Sequence, residues 1–168
     1  CTATYLFCFF IGFNICYCDG LRHIAKNLVE YKISGMVCVP AVLDVMYRQI
    51  WKNIKQKKLT ILVKAMIAIS NFLLLLHIDI RRKLFKSILE PLGGALRTII
   101  YGSASADIKV IKFFNSIGVR MIQGYGLTET SPVISCESDK YQKPGSAGRP
   151  LFCEEVQIIN KDENGIGE

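Results

Sequence analysis

The chain contains 168 residues, of which 51% are apolar and 21% charged, and its formal net charge at pH 7 is +7. This composition is typical of a globular domain with a core of its own, and it excludes a disordered chain. Seven cysteines occur without a CxxC pair or a histidine at metal-ligand spacing. They argue against a zinc site or a disulfide framework and favour reduced, mostly buried thiols in a cytosolic protein.

The two ends of the sequence do not resemble finished termini. The chain begins with Cys1 and ends on residues 165–168, GIGE. Residues 5–18 are apolar, but no basic stretch precedes them and no small-residue cleavage site follows, so they do not match a signal peptide. We therefore expect a fragment of a longer protein.

The first part of the chain is predicted to alternate short strands with helices. Residues 14–18 (NICYC) form an apolar run that predicts a strand, and the spacing over 21–31 predicts a helix. A second strand is predicted over 34–39. Pro40 suits the first turn of the following helix, predicted over 41–55, because a proline there loses no hydrogen bond.

The middle of the chain is strongly apolar over residues 59–76, which include Lys64. The run approaches the roughly 20 residues that a membrane span requires. The interior lysine leads us to expect a helix packed within the protein, with a helix lying in a membrane interface as the alternative. A further helix is predicted over 80–89, ending near Pro91.

Positive charge is concentrated in residues 48–86. This segment holds ten Lys or Arg and one acidic residue, a charge of +9, whereas the remainder holds eleven bases and thirteen acids, a charge of −2. Such a segment can meet an anionic membrane, or it can form a solvated helical face. A nucleic-acid partner is not expected, because few aromatic residues are interleaved with the basic ones, mainly Tyr47 and Trp51 at the start of the segment.

The last part of the chain has the clearest pattern. A strand is predicted over 96–101, a helix over 107–118 with Asp107 as N-cap and Gly118 at its end, and a strand over 119–123. Shorter strand candidates cover 133–136 and 156–159, and a turn-rich loop covers 143–150. Alternating strands and helices predict an α/β fold with a parallel-rich sheet of right-handed βαβ units.

Two small-residue loops follow consecutive strands of this predicted sheet, at 102–106 (GSASA) and 124–129 (GYGLTE). Ligands of open α/β sheets bind beyond the carboxyl ends of the strands, so both loops should lie at one edge. Small residues let a planar base approach the backbone, and Tyr125 offers a ring for stacking. Thr128 can donate to a phosphate oxygen, and Glu129 can ligate Mg²⁺. Together they favour one half of a nucleotide triphosphate site without a P-loop or GxGxxG motif.

Several segments resemble the acyl-adenylate-forming enzymes. Residues 124–132 (GYGLTETSP) resemble the YGxTE motif of that family, residues 101–105 (YGSAS) its GGAP segment, and residues 143–151 (KPGSAGRPL) its PGSVGRPL loop. Residues 39–40 and 80–85 (IRRKLF) are similar to the long-chain fatty acyl-CoA synthetase branch.

The resemblance implies the middle part of the large N-terminal domain, so that residues 1–168 form a partial AMP-binding domain without the small C-terminal domain. The implied reaction is ATP-dependent activation of a fatty acid to acyl-AMP, followed by thioester formation with coenzyme A and assisted by Mg²⁺. The isolated fragment is expected to be inactive. The alternatives are an acyl-carrier-protein or aryl-acid ligase of the same fold, and a non-catalytic basic membrane-associated module.

The resemblance also implies roles for single residues. Thr128 would contact the α-phosphate as a catalytic residue, and Glu129 would act with it by binding Mg²⁺. Ser103 and Ser105 depart from the family pattern, which has Gly and Pro at these positions. The residues that would surround the nucleotide are Gly102, Ser103, Ala104, Gln123, Gly124, Tyr125, Gly126 and Thr128. The implied location is cytoplasmic, with a peripheral membrane contact through residues 48–86 as a further expectation.

Overall fold

A computed structural model describes residues 5–138, 141–164 and 166 of the chain. Within this part, five strands form one sheet in sequential order. They are β1 (Gly35–Cys38), β2 (Thr98–Tyr101), β3 (Arg120–Tyr125), β4 (Ser135–Cys136) and β5 (Arg149–Pro150). The pairings β1–β2 and β2–β3 are parallel, whereas β3–β4 and β4–β5 are antiparallel. The predicted α/β fold with a parallel-rich sheet is confirmed.

Helical segments precede β1 and separate β1, β2, β3 and β4 along the chain, whereas a loop joins β4 to β5. Short 3₁₀ turns cover Leu21–His23, Glu90–Leu92 and Thr128–Thr130. The α-helices are α1 (Phe7–Phe10), α2 (Ile24–Tyr31), α3 (Pro40–Gln56), α4 (Thr60–Leu75), α5 (Arg81–Leu84), α6 (Lys86–Leu89) and α7 (Ile108–Ser116). As predicted, Pro40 begins α3, and the Asp107 side chain caps α7 by accepting a hydrogen bond from the Lys109 amide at 2.8 Å.

Two predicted strands and one predicted helix are wrong. Residues 14–18 and 156–159 are irregular, because neither run lies beside a strand that supplies backbone partners within the described residues. The helix predicted over 80–89 is interrupted at Phe85, whose φ of −100° and ψ of 22° leave the helical range. The side chain of Phe85 is fully buried at this break.

The core lies on one face of the sheet, beneath α3 and α7. Side chains alternate along a strand, so Ile99 and Met121 face the core while Ile100 remains 43% exposed on the other side. The covering helices contribute Leu43 from α3 and Phe114 from α7, both fully buried. This packing fixes the positions of β2 and β3, whose carboxyl ends carry the loops of interest.

Helix α4 is only partly packed, which corrects the expectation of a helix enclosed by the protein. Val63 and Ser70 are buried on one side. The opposite side is apolar and exposed, with Ile61 at 84%, Phe72 at 63% and Leu75 at 78%. Among the described residues no single helix is long and apolar enough to cross a membrane, although α3 and α4 meet that requirement as a pair bent by 119°.

Two neighbouring arginines form hydrogen bonds to backbone carbonyl groups near the amino-terminal ends of β2 and β3. Arg82 donates hydrogen bonds to three carbonyl oxygens, those of Leu96 at 2.7 Å, Gly94 at 2.8 Å and Gly118 at 3.3 Å. Arg81 donates to the Asn115 carbonyl and to the Asp79 carboxylate. Its side-chain hydrogen bond to Asp79 lowers the pKa of the Asp79 carboxyl. The Asp79 contribution to stability is therefore present near neutral pH and is lost as the pH falls through that lowered pKa.

Replacing Arg82 by Ala is expected to lower the free energy of unfolding by about 2 kcal/mol, because carbonyl groups at the ends of two strands lose a charged donor. The measurement is chemical denaturation of the full chain. Lys83→Ala in the same short helix is the matched control, because Lys83 is exposed and should change the free energy by less than about 0.5 kcal/mol. Equal losses in the two variants would contradict the role of Arg82.

Candidate functional site

The carboxyl ends of β2 and β3 lie side by side and bring the two predicted loops together. Tyr101 and Gln123 are register partners in the parallel pair, so Gly102 leaves its strand beside Gly124. A Cβ atom placed on Gly102 would lie 2.9 Å from the Gly124 carbonyl oxygen. The absence of a side chain at Gly102 therefore allows the two backbones to approach closely, and together they form a flat wall.

This wall extends further along β3 than the sequence predicts. The strand ends at Tyr125 rather than at residue 123, because Gly124 and Tyr125 pair with β4. The Tyr125 side chain is 49% exposed at the end of the strand. Ser103 and Ala104 in the opposite loop are also exposed. A ring and a small-residue loop are thus both accessible at one edge of the sheet.

The side chain of Gln123 is oriented by a buried tyrosine. The Tyr101 hydroxyl lies 3.2 Å from Gln123 Oε1 and donates to it. Burial, with a smaller contribution from the charge of Glu137, raises the pKa of Tyr101 to about 12. Tyr101 therefore remains protonated at neutral pH and keeps Gln123 in place.

Thr128 and Glu129 lie in the 3₁₀ turn that follows β3. The Thr130 hydroxyl closes this turn, accepting from the Leu127 amide at 3.0 Å. The side chains of Thr128 and Glu129 are exposed and have no hydrogen-bond partner among the described residues. Mg²⁺ is usually bound by one or two carboxylates together with the phosphates of the substrate. The unpaired carboxylate of Glu129 suits this kind of site.

The loop over 143–150 folds back onto β4, next to this edge. The Ser135 hydroxyl donates to the Ala147 carbonyl at 3.0 Å. Gly148 has a φ of +84°, and a Cβ atom on it would lie 2.1 Å from the Cys136 carbonyl carbon. Glycine is therefore required at Gly148 for both conformation and space.

One residue that sequence reasoning missed connects these segments. Glu137 is 4% exposed, and its carboxylate accepts from the Gln123 amide and from the Lys143 amide, each at 3.0 Å. Its own amide donates to the Gln123 carbonyl at 2.9 Å. The carboxylate thus takes the place of a backbone acceptor where β4 ends. Its two hydrogen bonds connect β3 to the start of the 143–150 loop. No motif marks such a residue, because its role arises only from tertiary pairing.

We expect Glu137→Gln to lower the free energy of unfolding of the full chain by about 1–3 kcal/mol. The two backbone N–H groups donate to different oxygens of the carboxylate, and Gln replaces one of these oxygens by an NH₂ group, so one buried donor is left unpaired. Chemical denaturation measures the change. Glu155→Gln at an exposed position is the matched control, and an unchanged free energy of unfolding in Glu137→Gln would contradict the role.

The cysteine side chains are more exposed than the sequence predicts. Among the described residues Cys16, Cys18 and Cys153 are exposed and Cys8, Cys38 and Cys136 are half-buried, so the expectation of mostly buried thiols is wrong. The reason is that most lie in irregular or edge segments rather than in the core. At the end of β1, burial raises the pKa of the Cys38 thiol to about 11, which keeps it protonated and unreactive.

The features of this edge are those expected of a nucleotide-binding α/β domain: two backbones form a flat wall, a ring lies at its margin, and a free hydroxyl and carboxylate follow. Comparison with protein families is consistent with this class. The chain belongs to the family of AMP-binding enzymes, which it matches over residues 1–168.

Similar proteins of known activity are acid-activating ligases. A chloroplastic long-chain-fatty-acid–[acyl-carrier-protein] ligase of Arabidopsis thaliana is 27% identical, covering 98% of this chain and 28% of that protein. A long-chain-fatty-acid–CoA ligase of Mycobacterium bovis is 22% identical, covering 91% and 27%. A 2-succinylbenzoate–CoA ligase of Bacillus licheniformis is 32% identical, covering 43% of this chain and 15% of that protein. The chain spans little more than a quarter of the length of the first two relatives.

Solved structures show the same fold. An anthranilate CoA ligase in complex with anthranoyl-AMP superposes with a TM-score of 0.52 at 15% identity, covering 93% of this chain and 23% of that one. The N-terminal domain of a protein named FACL13 from Mycobacterium tuberculosis gives a TM-score of 0.51 at 18% identity, covering 88% and 29%. The prediction that the chain resembles the N-terminal domain of an adenylate-forming enzyme is confirmed at the level of fold.

Proposed function

We propose that the chain carries one wall of the adenylate site in an ATP-dependent, AMP-forming ligase that joins a fatty acid to coenzyme A. The observation that carries the proposal is the adjacency of Gly102 and Gly124, followed by the free side chains of Thr128 and Glu129. The similarity to long-chain-fatty-acid ligases supports the choice of acid.

Each part of the wall has a separate role in this proposal. The backbone of Gly102, Ser103 and Ala104 faces the adenine on one side, and Gln123 and Gly124 face it on the other. The Tyr125 ring stacks on the base, which contributes on the order of 1 kcal/mol. Gly126 lets the chain turn towards the phosphates. The Thr128 hydroxyl donates to the α-phosphate.

The proposed reaction has two steps. A carboxylate oxygen of the fatty acid attacks the α-phosphorus of ATP, the bond between that phosphorus and the bridging oxygen breaks, and pyrophosphate leaves. The sulfur of coenzyme A then attacks the acyl carbon, loses its proton, and displaces AMP. Glu129 would hold Mg²⁺, which would neutralise the charge that develops on the phosphates.

We propose that residues 1–168 form part of a large N-terminal domain, and that the remaining phosphate, ribose and lysine contacts come from other parts of a longer enzyme. This follows from the similarity over about a quarter of the relatives' length. The fragment alone should form no acyl-AMP, because the wall described above contacts only one side of the nucleotide.

The test is pyrophosphate release by the full-length protein with ATP, Mg²⁺ and carboxylic acids of different size. Long-chain acids should be activated faster than benzoate or succinylbenzoate. Adding coenzyme A or an acyl carrier protein to the acyl-AMP then identifies the acceptor. Release that requires no carboxylic acid would exclude a ligase, and thioester formed only on the carrier protein would replace coenzyme A as the acceptor.

We also propose a cytoplasmic enzyme in peripheral contact with a membrane through residues 48–86. The support is the charge of this segment together with the exposed apolar side of α4. A membrane surface would hold the fatty acid close to the enzyme. Co-sedimentation with anionic vesicles that weakens as salt is added would support the contact, and no co-sedimentation at low salt would exclude it.

A further inference from the structure

A concave region outside the nucleotide wall lies in the angle between α3 and α4. It is a pocket of about 610 Å³. Four cationic side chains line it, and no acidic residue does so among the described residues. The lining residues are Tyr47, Arg48, Trp51, Lys52, Lys55, Gln56, Thr60 and Lys64.

Helical spacing explains why the cations converge. Arg48, Lys52 and Lys55 are separated by four and three residues, so they share one side of α3. Lys64 reaches the pocket from α4, one turn after Thr60. Four like charges around one concavity repel one another, and an anion bound between them would remove this repulsion.

The inner wall of the pocket is aromatic and contains an unused donor. The rings of Tyr47 and Trp51 lie 6.2 Å apart, and the Trp51 ring lies 5.6 Å from that of Phe113 in the core. The Trp51 indole N–H is buried and has no acceptor among the described residues. Buried polar atoms usually have a partner, so this donor stands out beside a pocket that already lacks negative charge.

The pocket adjoins the exposed apolar side of α4. Ile61 and Leu62 follow Thr60 directly, and they are 84% and 54% exposed. Phe72 and Leu75 continue this apolar side towards the end of the helix. An apolar side of a helix is normally covered by a protein core or a membrane, and α4 is covered by the described residues on one side only. The ligand that fits both features is amphiphilic, with an anionic head and an apolar body.

We propose that the pocket between α3 and α4 binds the phosphate headgroup of an anionic phospholipid, with the exposed side of α4 against the acyl region of the bilayer. The inference deepens the proposed membrane contact of residues 48–86 and rests on it. Free phosphate shares the charge but has no apolar body to cover α4. The partner is therefore a lipid surface rather than a soluble anion.

The test compares two variants of the full-length protein that change the net charge equally. Lys52→Gln/Lys55→Gln/Lys64→Gln removes lysines that line the pocket. Lys57→Gln/Lys58→Gln/Lys83→Gln removes lysines of the same segment that do not. Binding is measured with phosphatidylcholine vesicles containing phosphatidylglycerol, and thermal unfolding confirms that both variants fold. Each cation near an anionic surface contributes about 1 kcal/mol, so the pocket variant should bind about 100-fold more weakly, and the control variant less than about tenfold.

A second pair of variants tests the apolar part. Ile61→Ser beside the pocket should weaken vesicle binding several-fold, because a large apolar side chain no longer enters the bilayer. Leu21→Ser is the matched control, since Leu21 is 78% exposed but lies outside this surface. It should leave binding unchanged.

The outcomes separate the pocket from the broader proposal. Equal losses in the two triple variants would mean diffuse charge attraction and overturn the pocket, while the membrane contact stands. No binding by the unaltered protein would overturn both, and pyrophosphate release would still test the ligase independently. Displacement from vesicles by millimolar inorganic phosphate at constant ionic strength would show a site for free phosphate and overturn the lipid assignment.

Discussion

Glu129→Gln in the full-length protein is expected to lower the rate of the proposed adenylation about 100-fold, because it removes the carboxylate proposed to hold Mg²⁺. Gln keeps the size of the side chain but not its charge, and Mg²⁺ strongly prefers a carboxylate oxygen. Glu129 is exposed and has no partner among the described residues, so the unfolding curve should not change. The measurements are pyrophosphate release and the Mg²⁺ concentration that gives half of the maximal rate, which should rise.

The second half-reaction provides an internal control for this prediction. Thioester formation from supplied acyl-AMP does not need the metal-bound pyrophosphate, so Glu129→Gln should lower it much less than adenylation. Glu155→Gln makes the same chemical change at another exposed carboxylate and should leave both rates unchanged. A normal rate of pyrophosphate release in Glu129→Gln would remove Glu129 from the proposed role.

The unit from β2 to β3 could be predicted because its signals are local and agree with one another. Asp107 caps α7 as expected, and Gly118 ends it with a φ of +86°. A strand, a capped helix and a second strand imply a right-handed parallel unit. The shared edge of residues 102–104 and 123–126 follows from that topology, and so does the adjacency of Gly102 and Gly124.

The errors fall where structure depends on distant partners. The apolar runs at 14–18 and 156–159 have strand composition, but no strand lies beside them in the described part of the chain. The environment of α4 could not be inferred either, because an apolar sequence does not tell which of its sides is covered. Glu137 is the clearest case: its burial and its two amide donors result from the way β4 leaves β3.

Gly126→Ala is expected to abolish most of the proposed adenylation activity, because a side chain at Gly126 has no space rather than because of its backbone conformation. A Cβ atom at Gly126 would lie 1.7 Å from the Pro132 carbonyl oxygen and 2.8 Å from the Val133 Cα. Both are backbone atoms, so the chain itself must move. Because Thr128 and Glu129 follow two and three residues later, that movement displaces the groups proposed to contact phosphate and metal. A displacement of about 1 Å can lower a rate 100-fold.

Substitutions at two other glycines serve as controls that distinguish a steric clash within the protein from obstruction of the nucleotide-binding surface. A Cβ atom at Gly124 or at Gly35 would meet nothing within 4 Å. Gly35→Ala lies at the start of β1 and should change neither stability nor rate. Gly124→Ala should keep the unfolding midpoint but raise the KM for ATP, since its methyl group would project from the nucleotide wall. Gly126→Ala should lower both the midpoint and the rate. If Gly126→Ala kept the activity of the unaltered enzyme, the turn from β3 to Glu129 would not position the reacting groups, and the proposed wall would end at Tyr125.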